Sequence, residues 1–182
     1  AHFVAKAQAG KAAEIAPCIA CNQACLDHTF SGKISSCLVN PRACFETELQ
    51  LHPAQTPKNI AVVGAGPAGL STAIAAAQRG HKVTVFDKDA HVGGQLNLAR
   101  QVPGKEEFHG LVAWFETMLT STGVTLRLGQ AVGAEDMAGF DEVVVATGVQ
   151  PRDPQIPGQA HAKVISYADL LAGRATAGPK VA

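Results

Sequence analysis

The chain has 182 residues, 47% hydrophobic and 16% charged, so disorder driven by excess charge is excluded and a real core is expected. Fifteen Lys and Arg balance fifteen Asp and Glu, which removes the electrostatic case for binding nucleic acid or an anionic membrane. No run approaches the roughly 18 apolar residues of a spanning helix, the Ala-rich opening lacks a signal-peptide pattern, and the chain reads as soluble and cytoplasmic. In chain order, His2 to Ala9 is helix-permissive, with Gly10 as a break and Pro17 as a stop. Residues 17–45 carry all five cysteines amid Asn, Ser, Gly and Pro and read as loop with short helical turns. Residues 46–58, with Pro53 and Pro57, read as an extended linker. From Asn59 the pattern becomes β-α-β: an apolar strand Ile60–Val63, a small-residue helix Ala68–Arg79 closed by Gly80, and a strand Val83–Phe86. An amphipathic helix follows over Gly104–Thr122, with Phe108, Leu111, Val112, Phe115, Met118 and Leu119 on one face. Val124–Leu128 and Val143–Ala146 are two further strands, and Val164-Ile165 starts another. Tyr167 opens a helix, and a new strand begins at Pro179-Lys180-Val181-Ala182. The chain reads as a piece of a longer protein.

Gly64-Ala65-Gly66-Pro67-Ala68-Gly69 sits between a strand and a helix, the context in which a glycine-rich turn binds a dinucleotide. Gly64 permits the tight turn, Gly66 lets the backbone approach a pyrophosphate, and Gly69 lets helix and strand pack closely. The helix N-terminus offers free N–H groups to that pyrophosphate. Asp87 closes the second strand, where a carboxylate accepts hydrogen bonds from a ribose diol. His91-Val92-Gly93-Gly94-Gln95 adds a glycine pair able to bring backbone close to a ligand, and Ala146-Thr147-Gly148 ends a strand. With Pro67 inside the turn, these segments resemble the FAD site of two-domain, disulfide-reductase-like flavoproteins, which favours FAD over NAD(P) here.

The cysteines follow the pattern Cys18-x2-Cys21-x3-Cys25-x11-Cys37, with Cys44 beyond. An odd count without a secretory signal fits metal ligation better than a disulfide framework. Three thiolates within eight residues plus one across a loop suit zinc or an iron–sulfur cluster, and spacing alone does not choose between them. The adjoining flavin site favours iron–sulfur, because a flavin takes a hydride's electron pair and releases it singly to a one-electron centre. Cys44 reads as a spare, partly buried thiol. His28 is expected to bond backbone near the cluster, and Trp114 and Phe115 to pack rather than stack on a ligand. No catalytic residue is assigned.

Three stretches carry a more specific resemblance: Cys18-Ile19-Ala20-Cys21-Asn22-Gln23-Ala24-Cys25-Leu26-Asp27, Ser36-Cys37-Leu38-Val39-Asn40-Pro41-Arg42-Ala43-Cys44, and Val102-Pro103-Gly104-Lys105-Glu106-Glu107-Phe108. They resemble the bacterial-type NADPH-dependent 2,4-dienoyl-CoA reductases of fatty-acid β-oxidation. Those belong to the old-yellow-enzyme-like FMN, FAD and 4Fe–4S oxidoreductases that include trimethylamine dehydrogenase. The resemblance implies a partial doubly wound α/β FAD-binding (Rossmann-like) domain over 59–182, preceded by a cluster-binding segment over 17–45 and a linker over 46–58. Residues 1–16 would be the end of an FMN-bearing barrel. It implies Cys18, Cys21, Cys25 and Cys37 as 4Fe–4S ligands, and FAD contacts from Ala68, Asp87, Gln95, Lys105 and Val132. Read without it, Gln95 and Lys105 are solvated loop residues and Val132 lies at a sheet edge.

The implied activity is an electron relay from NADPH through FAD and the cluster to FMN, which reduces the enoyl double bond of an unsaturated acyl-CoA. FMN, NADPH and substrate would all be held by parts of the protein outside this chain. The implied partners include no nucleic acid and no membrane. An amine dehydrogenase segment is a second reading, disfavoured by the x3 interval before Cys25. A zinc-braced, non-catalytic nucleotide module is a third, and segments like the glutamate synthase small subunit fit the cysteine spacing less well. Expressed alone, the piece is expected to be unstable and to hold FAD weakly.

Overall fold

The computed structural model describes residues 2–181. Its centre is a four-stranded sheet of β1 (Asn59–Val63), β2 (Lys82–Phe86), β3 (Thr125–Arg127) and β4 (Glu142–Val145), ordered β3-β2-β1-β4. All three pairings are parallel, as β-α-β connections demand. Register aligns Ile60 with Val83 and Val62 with Val85, while Val144 lies beside Val62. These side chains share one face, and α3 (Pro67–Gln78) and α5 (Glu107–Thr122) pack on it.

The apolar stripe of α5 behaves as its spacing requires. Leu111, Val112, Phe115, Met118 and Leu119 are buried, Phe108 packs partly against the same core, and Gly123 caps the helix at φ 73°. The helix begins at Glu107 rather than Gly104, because Gly104 takes φ 80° and its N–H donates to the Glu106 carboxylate at 3.0 Å. Gly80, at φ 93°, closes α3 as expected.

The opposite face of the sheet has thinner cover. Phe86 meets Phe140 edge-on at 5.7 Å, but Val143 and Val145 on β4 are 42% and 73% exposed. Residues 129–141 cross this side with one 3-10 turn, Glu135–Met137. Val132 lies in that crossing, half-buried and outside the sheet, not on its edge.

At the N-terminal end, α1 (Phe3–Gln8) is followed by a 3-10 turn over Ala12–Glu14. Among residues 17–45 the regular element is α2 (Leu26–Phe30), and Ile19 is buried in the main core. The stretch 46–58 has no helix or strand, yet it is tied to α3: Ala54 N–H donates to Arg79 O, and Arg79 Nε donates to His52 O. Two other helices, α4 (Leu96–Ala99) and α6 (Tyr167–Leu171), complete the fold. The strand expected at Val164-Ile165 does not form: Val164 N–H donates back to His161 O, and among the described residues no strand pairs with this segment. Pro179 to Val181 likewise form no strand, and Ala182 lies outside the described residues.

Candidate functional site

Three segments meet at the carboxyl end of the sheet. The first is the turn 64–66. Gly64 has φ 115°, and a Cβ there would run into the Ala146 carbonyl, so glycine is demanded by both conformation and space. A Cβ on Gly69 would collide with the Gly64 carbonyl, which explains the third glycine of the turn. Beside Gly66 nothing lies within 4 Å of where a Cβ would be, leaving the mouth of the turn open.

Gly66 is the N-cap of α3 and Pro67 its first residue, and no side chain caps the helix. Pro67 has no N–H to give, but Ala68 and Gly69 do, and these donors with the positive end of the helix dipole form a place for a phosphate. The helix is long enough, at twelve residues, for that dipole to matter.

The second segment follows β2. Asp87 is half-buried, accepts from Ala65 N–H through Oδ2 at 2.6 Å, and accepts from Asp89 N–H through Oδ1 at 2.9 Å. Each oxygen keeps further acceptor capacity for a ribose hydroxyl. Gly93 N–H donates to Ala65 O at 2.8 Å, and a Cβ on Gly94 would sit 3.0 Å from Gly66 Cα, so this loop lies directly on the turn.

The third segment follows β4. Ala146 N–H donates to Val63 O at 2.8 Å, and Thr147 and Gly148 run on exposed, with Gly148 at φ 79°. Gln95, from the second segment, reaches this third one: its Nε2 donates to Val149 O at 2.8 Å. Gly64, Gly66, Ala68, Gly69, Asp87, Gly94, Gln95, Thr147 and Gly148 thus belong to one locus.

Lys105 and Val132 stand further out. Lys105 is exposed in the turn before α5. Val132 follows Gln130, whose N–H donates to Asp87 O at 3.0 Å, which ties that loop to the acid.

Asn97 belongs to the architecture and carries no signal in the local pattern. Its Nδ2 donates to Val92 O at 2.9 Å, a Cβ on Gly93 would press on its amide, and its buried Oδ1 has no partner. Trp114 packs as expected, and its Nε1 also donates to Glu14 O at 3.0 Å, pinning the N-terminal segment to α5.

The cysteine segment is sharply turned in its backbone. Ala20 and Asn22, on either side of Cys21, take φ 52° and 56°, and Ala20 N–H donates to Cys18 Sγ at 3.4 Å. Ser36 N–H donates to Ala24 O at 2.7 Å, bringing the stretch before Cys37 alongside that before Cys25. His28 Nδ1 bonds Ile34 O at 3.0 Å, a backbone contact as expected.

All five cysteines are free. Among the described residues no three His, Cys, Asp or Glu side chains gather closely enough to hold a metal ion. The thiols are therefore not drawn together into a metal site in this structure, although thiolates are the donor type that zinc and iron–sulfur centres take. Cys44 is exposed, with φ 64°, not the partly buried thiol that was expected, because its turn projects it outward.

Among the described residues no helix is long and apolar enough to cross a membrane. A metal reductase of Desulforamulus reducens is 43% identical, aligned to 97% of this chain and 27% of its own length. The structure of 2-naphthoyl-CoA reductase with 2-naphthoyl-CoA superposes with TM-score 0.93 at 32% identity, over 97% of this chain and 27% of the other. Histamine dehydrogenase from Rhizobium sp. 4-9 superposes with TM-score 0.82 at 26% identity, over 96% of this chain and 27% of the other. The chain thus spans about a quarter of the length of these relatives. The model of the pyridine nucleotide-disulphide oxidoreductases matches residues 58–179, the stretch that builds the sheet, the glycine turn and its two flanking loops. With its parallel sheet and open helix terminus in the places a dinucleotide requires, the chain belongs to the pyridine nucleotide-disulphide oxidoreductase family.

Proposed function

We propose that this chain is the FAD-binding and iron–sulfur part of an oxidoreductase that moves electrons from NADPH toward the double bond of a 2,4-dienoyl-CoA. The observation that carries the flavin reading is the uncapped N-terminus of α3 at the meeting point of three backbone segments. In this reading Gly64, Gly66, Ala68 and Gly69 cradle the pyrophosphate and Asp87 holds the adenosine ribose. Gly94, Gln95, Thr147 and Gly148 line the path of the flavin half, and Lys105 and Val132 close its outer sides. Cys18, Cys21, Cys25 and Cys37 would hold the 4Fe–4S cluster, with 17–45 as its segment, 46–58 as the linker and 59–182 as the FAD domain. FMN and NADPH would bind elsewhere in the full-length protein.

FAD, when bound, supplies conversion between two-electron and one-electron transfer. The chain's own contribution is to fix and shield it. Backbone N–H groups neutralise phosphate charge, the Asp87 carboxylate selects a free ribose diol, and Gln95 and Val149 join two loops beside the crevice. Likeness to a reductase whose structure holds an aryl-CoA supports the thioester substrate class. Likeness to histamine dehydrogenase supports a second reading, amine oxidation with electrons running outward. The three-residue interval between Cys21 and Cys25 favours the first.

The test uses the full-length protein without oxygen. NADPH should bleach the oxidised flavin absorbance, and added 2,4-dienoyl-CoA should reoxidise it with turnover. Flavin reduced by a methylated amine and unaffected by NADPH would replace this reading with the second.

A further inference from the structure

We infer that the face of the sheet turned away from α3 and α5 carries a second binding site, for a small organic anion that also bears hydroxyl groups. The site is a cavity of about 350 Å³ walled on one side by the crossing 129–141, and its lining shares no residue with the locus at the glycine turn.

Strand alternation places that lining. Along β2, Val83 and Val85 enter the helix-covered core, so Lys82, Thr84 and Phe86 point to the other face. Register sets Asn59 beside Lys82, and Arg127 beside Phe86. Gln130, Asp136 and Phe140 close the cavity from the crossing segment. Phe86 and Phe140, edge-on to one another, form its apolar wall, which suits a carbon skeleton rather than a bare ion.

Two buried polar groups in the lining lack partners. Thr84 is 7% exposed, the one buried polar side chain among the described residues, and its hydroxyl forms no hydrogen bond with them. Asn59 donates through Nδ2 to Gly139 O at 3.0 Å, which fixes the amide, and its Oδ1 is buried and unpaired. Buried polar groups are nearly always bonded, so two orphans in one cavity point to a ligand that completes both. At the rim, Lys82 and Arg127 are exposed and have no ion-pair partner among the described residues. Asp136 is the opposing carboxylate, and its Oδ2 accepts from Gly133 N–H at 2.8 Å. Two cations against one carboxylate favour an anion. Asn59 Oδ1 and the free oxygen of Asp136 are acceptors, and hydroxyl groups on the same ligand bring them hydrogens.

Calorimetry on the full-length protein, with FAD added to occupy the glycine turn, tests the site with two matched pairs. Glycerol 3-phosphate is compared with propyl phosphate, and gluconate with hexanoate. The pairs separate a phosphate head from a carboxylate one, and within each pair only the hydroxyl groups differ. At least one hydroxylated member should bind, with its plain partner weaker by about tenfold or more. Arg127→Gln, at an exposed position, should weaken that binding about tenfold. Thr84→Val keeps the shape and the strand preference, so the melting temperature should hold while affinity falls. Absence of binding by all four probes would overturn the site. Equal affinity within each pair, or an affinity untouched by both variants, would overturn it as well.

Discussion

Asp87 holds structure with its side chain and, in the proposed function, would hold the ribose with the same carboxylate. Its two oxygens hold the N–H groups of Ala65 and Asp89, which fixes the turn before any cofactor arrives. Ala65 is fully buried, so its N–H has no water to fall back on. Asp87→Asn exchanges one acceptor oxygen for a donor and removes the charge. Losing a charge-assisted hydrogen bond costs about 1.5–3 kcal/mol, so FAD affinity should fall roughly ten- to a hundredfold. Asp87→Ala should in addition lower the melting temperature, because it leaves the Ala65 N–H unpaired. Flavin binding by fluorescence together with thermal unfolding measures both, and unchanged affinity in the asparagine variant would refute the ribose role. Gly69 belongs at the same scale: its missing Cβ is what allows α3 to close against the Gly64 carbonyl.

Among the elements, α5 does two jobs. Its buried stripe packs the core, and Trp114 reaches from it to the Glu14 carbonyl, which also accepts from Lys6 Nζ at 2.7 Å. Trp114→Phe keeps most of the packing and removes the indole N–H, at a cost of about 0.5–1.5 kcal/mol. Residues 11–17 should then be cut faster in limited proteolysis, whereas parental cleavage rates would show that the bond holds nothing in place. Helix α6 is closed differently: Ser166 Oγ accepts from Asp169 N–H at 3.0 Å and donates to its carboxylate at 2.7 Å. That hydroxyl, and then Arg174, hold the Asp169 carboxyl below the usual carboxylate range. A lowered folded pKa means the support is present above the unfolded value and is lost as pH falls through the folded one. In an NMR titration Asp169 should therefore titrate below a free aspartate, and Ser166→Ala should move it upward; no change in that variant would contradict the assignment.

The strands and the two long helices were legible because burial imposes period on sequence: apolar runs at Ile60–Val63 and Val83–Phe86, and three- and four-residue spacing in α5. Ends moved by one to three residues where a glycine or a side-chain bond decided them, as at Gly104. Val164-Ile165 looked like a strand because local preference says nothing about a pairing partner. The exposure of Cys44 likewise depends on a left-handed residue that local composition did not mark.

For the molecule as a whole, the site joins residues far apart in the chain. Gln95 and Val149 are 54 residues apart, and Trp114 and Glu14 are 100 apart, so neither bond could be read from neighbouring residues. The glycine turn was readable because its three glycines and the following acid answer to one local geometry. Ile19 gives the cysteine segment its connection to the rest: it is buried in the core that also supports α3 and β1, so the thiols and the dinucleotide turn share one scaffold. That shared scaffold is the physical basis for proposing an electron path between them. The measurement that tests it most directly is the content of iron, acid-labile sulfide, zinc and FAD per chain in full-length protein purified without oxygen. About four irons and four sulfides per chain are expected, with FAD present and zinc absent. Zinc without sulfide would contradict it, making the cysteine segment a structural clip beside a nucleotide site.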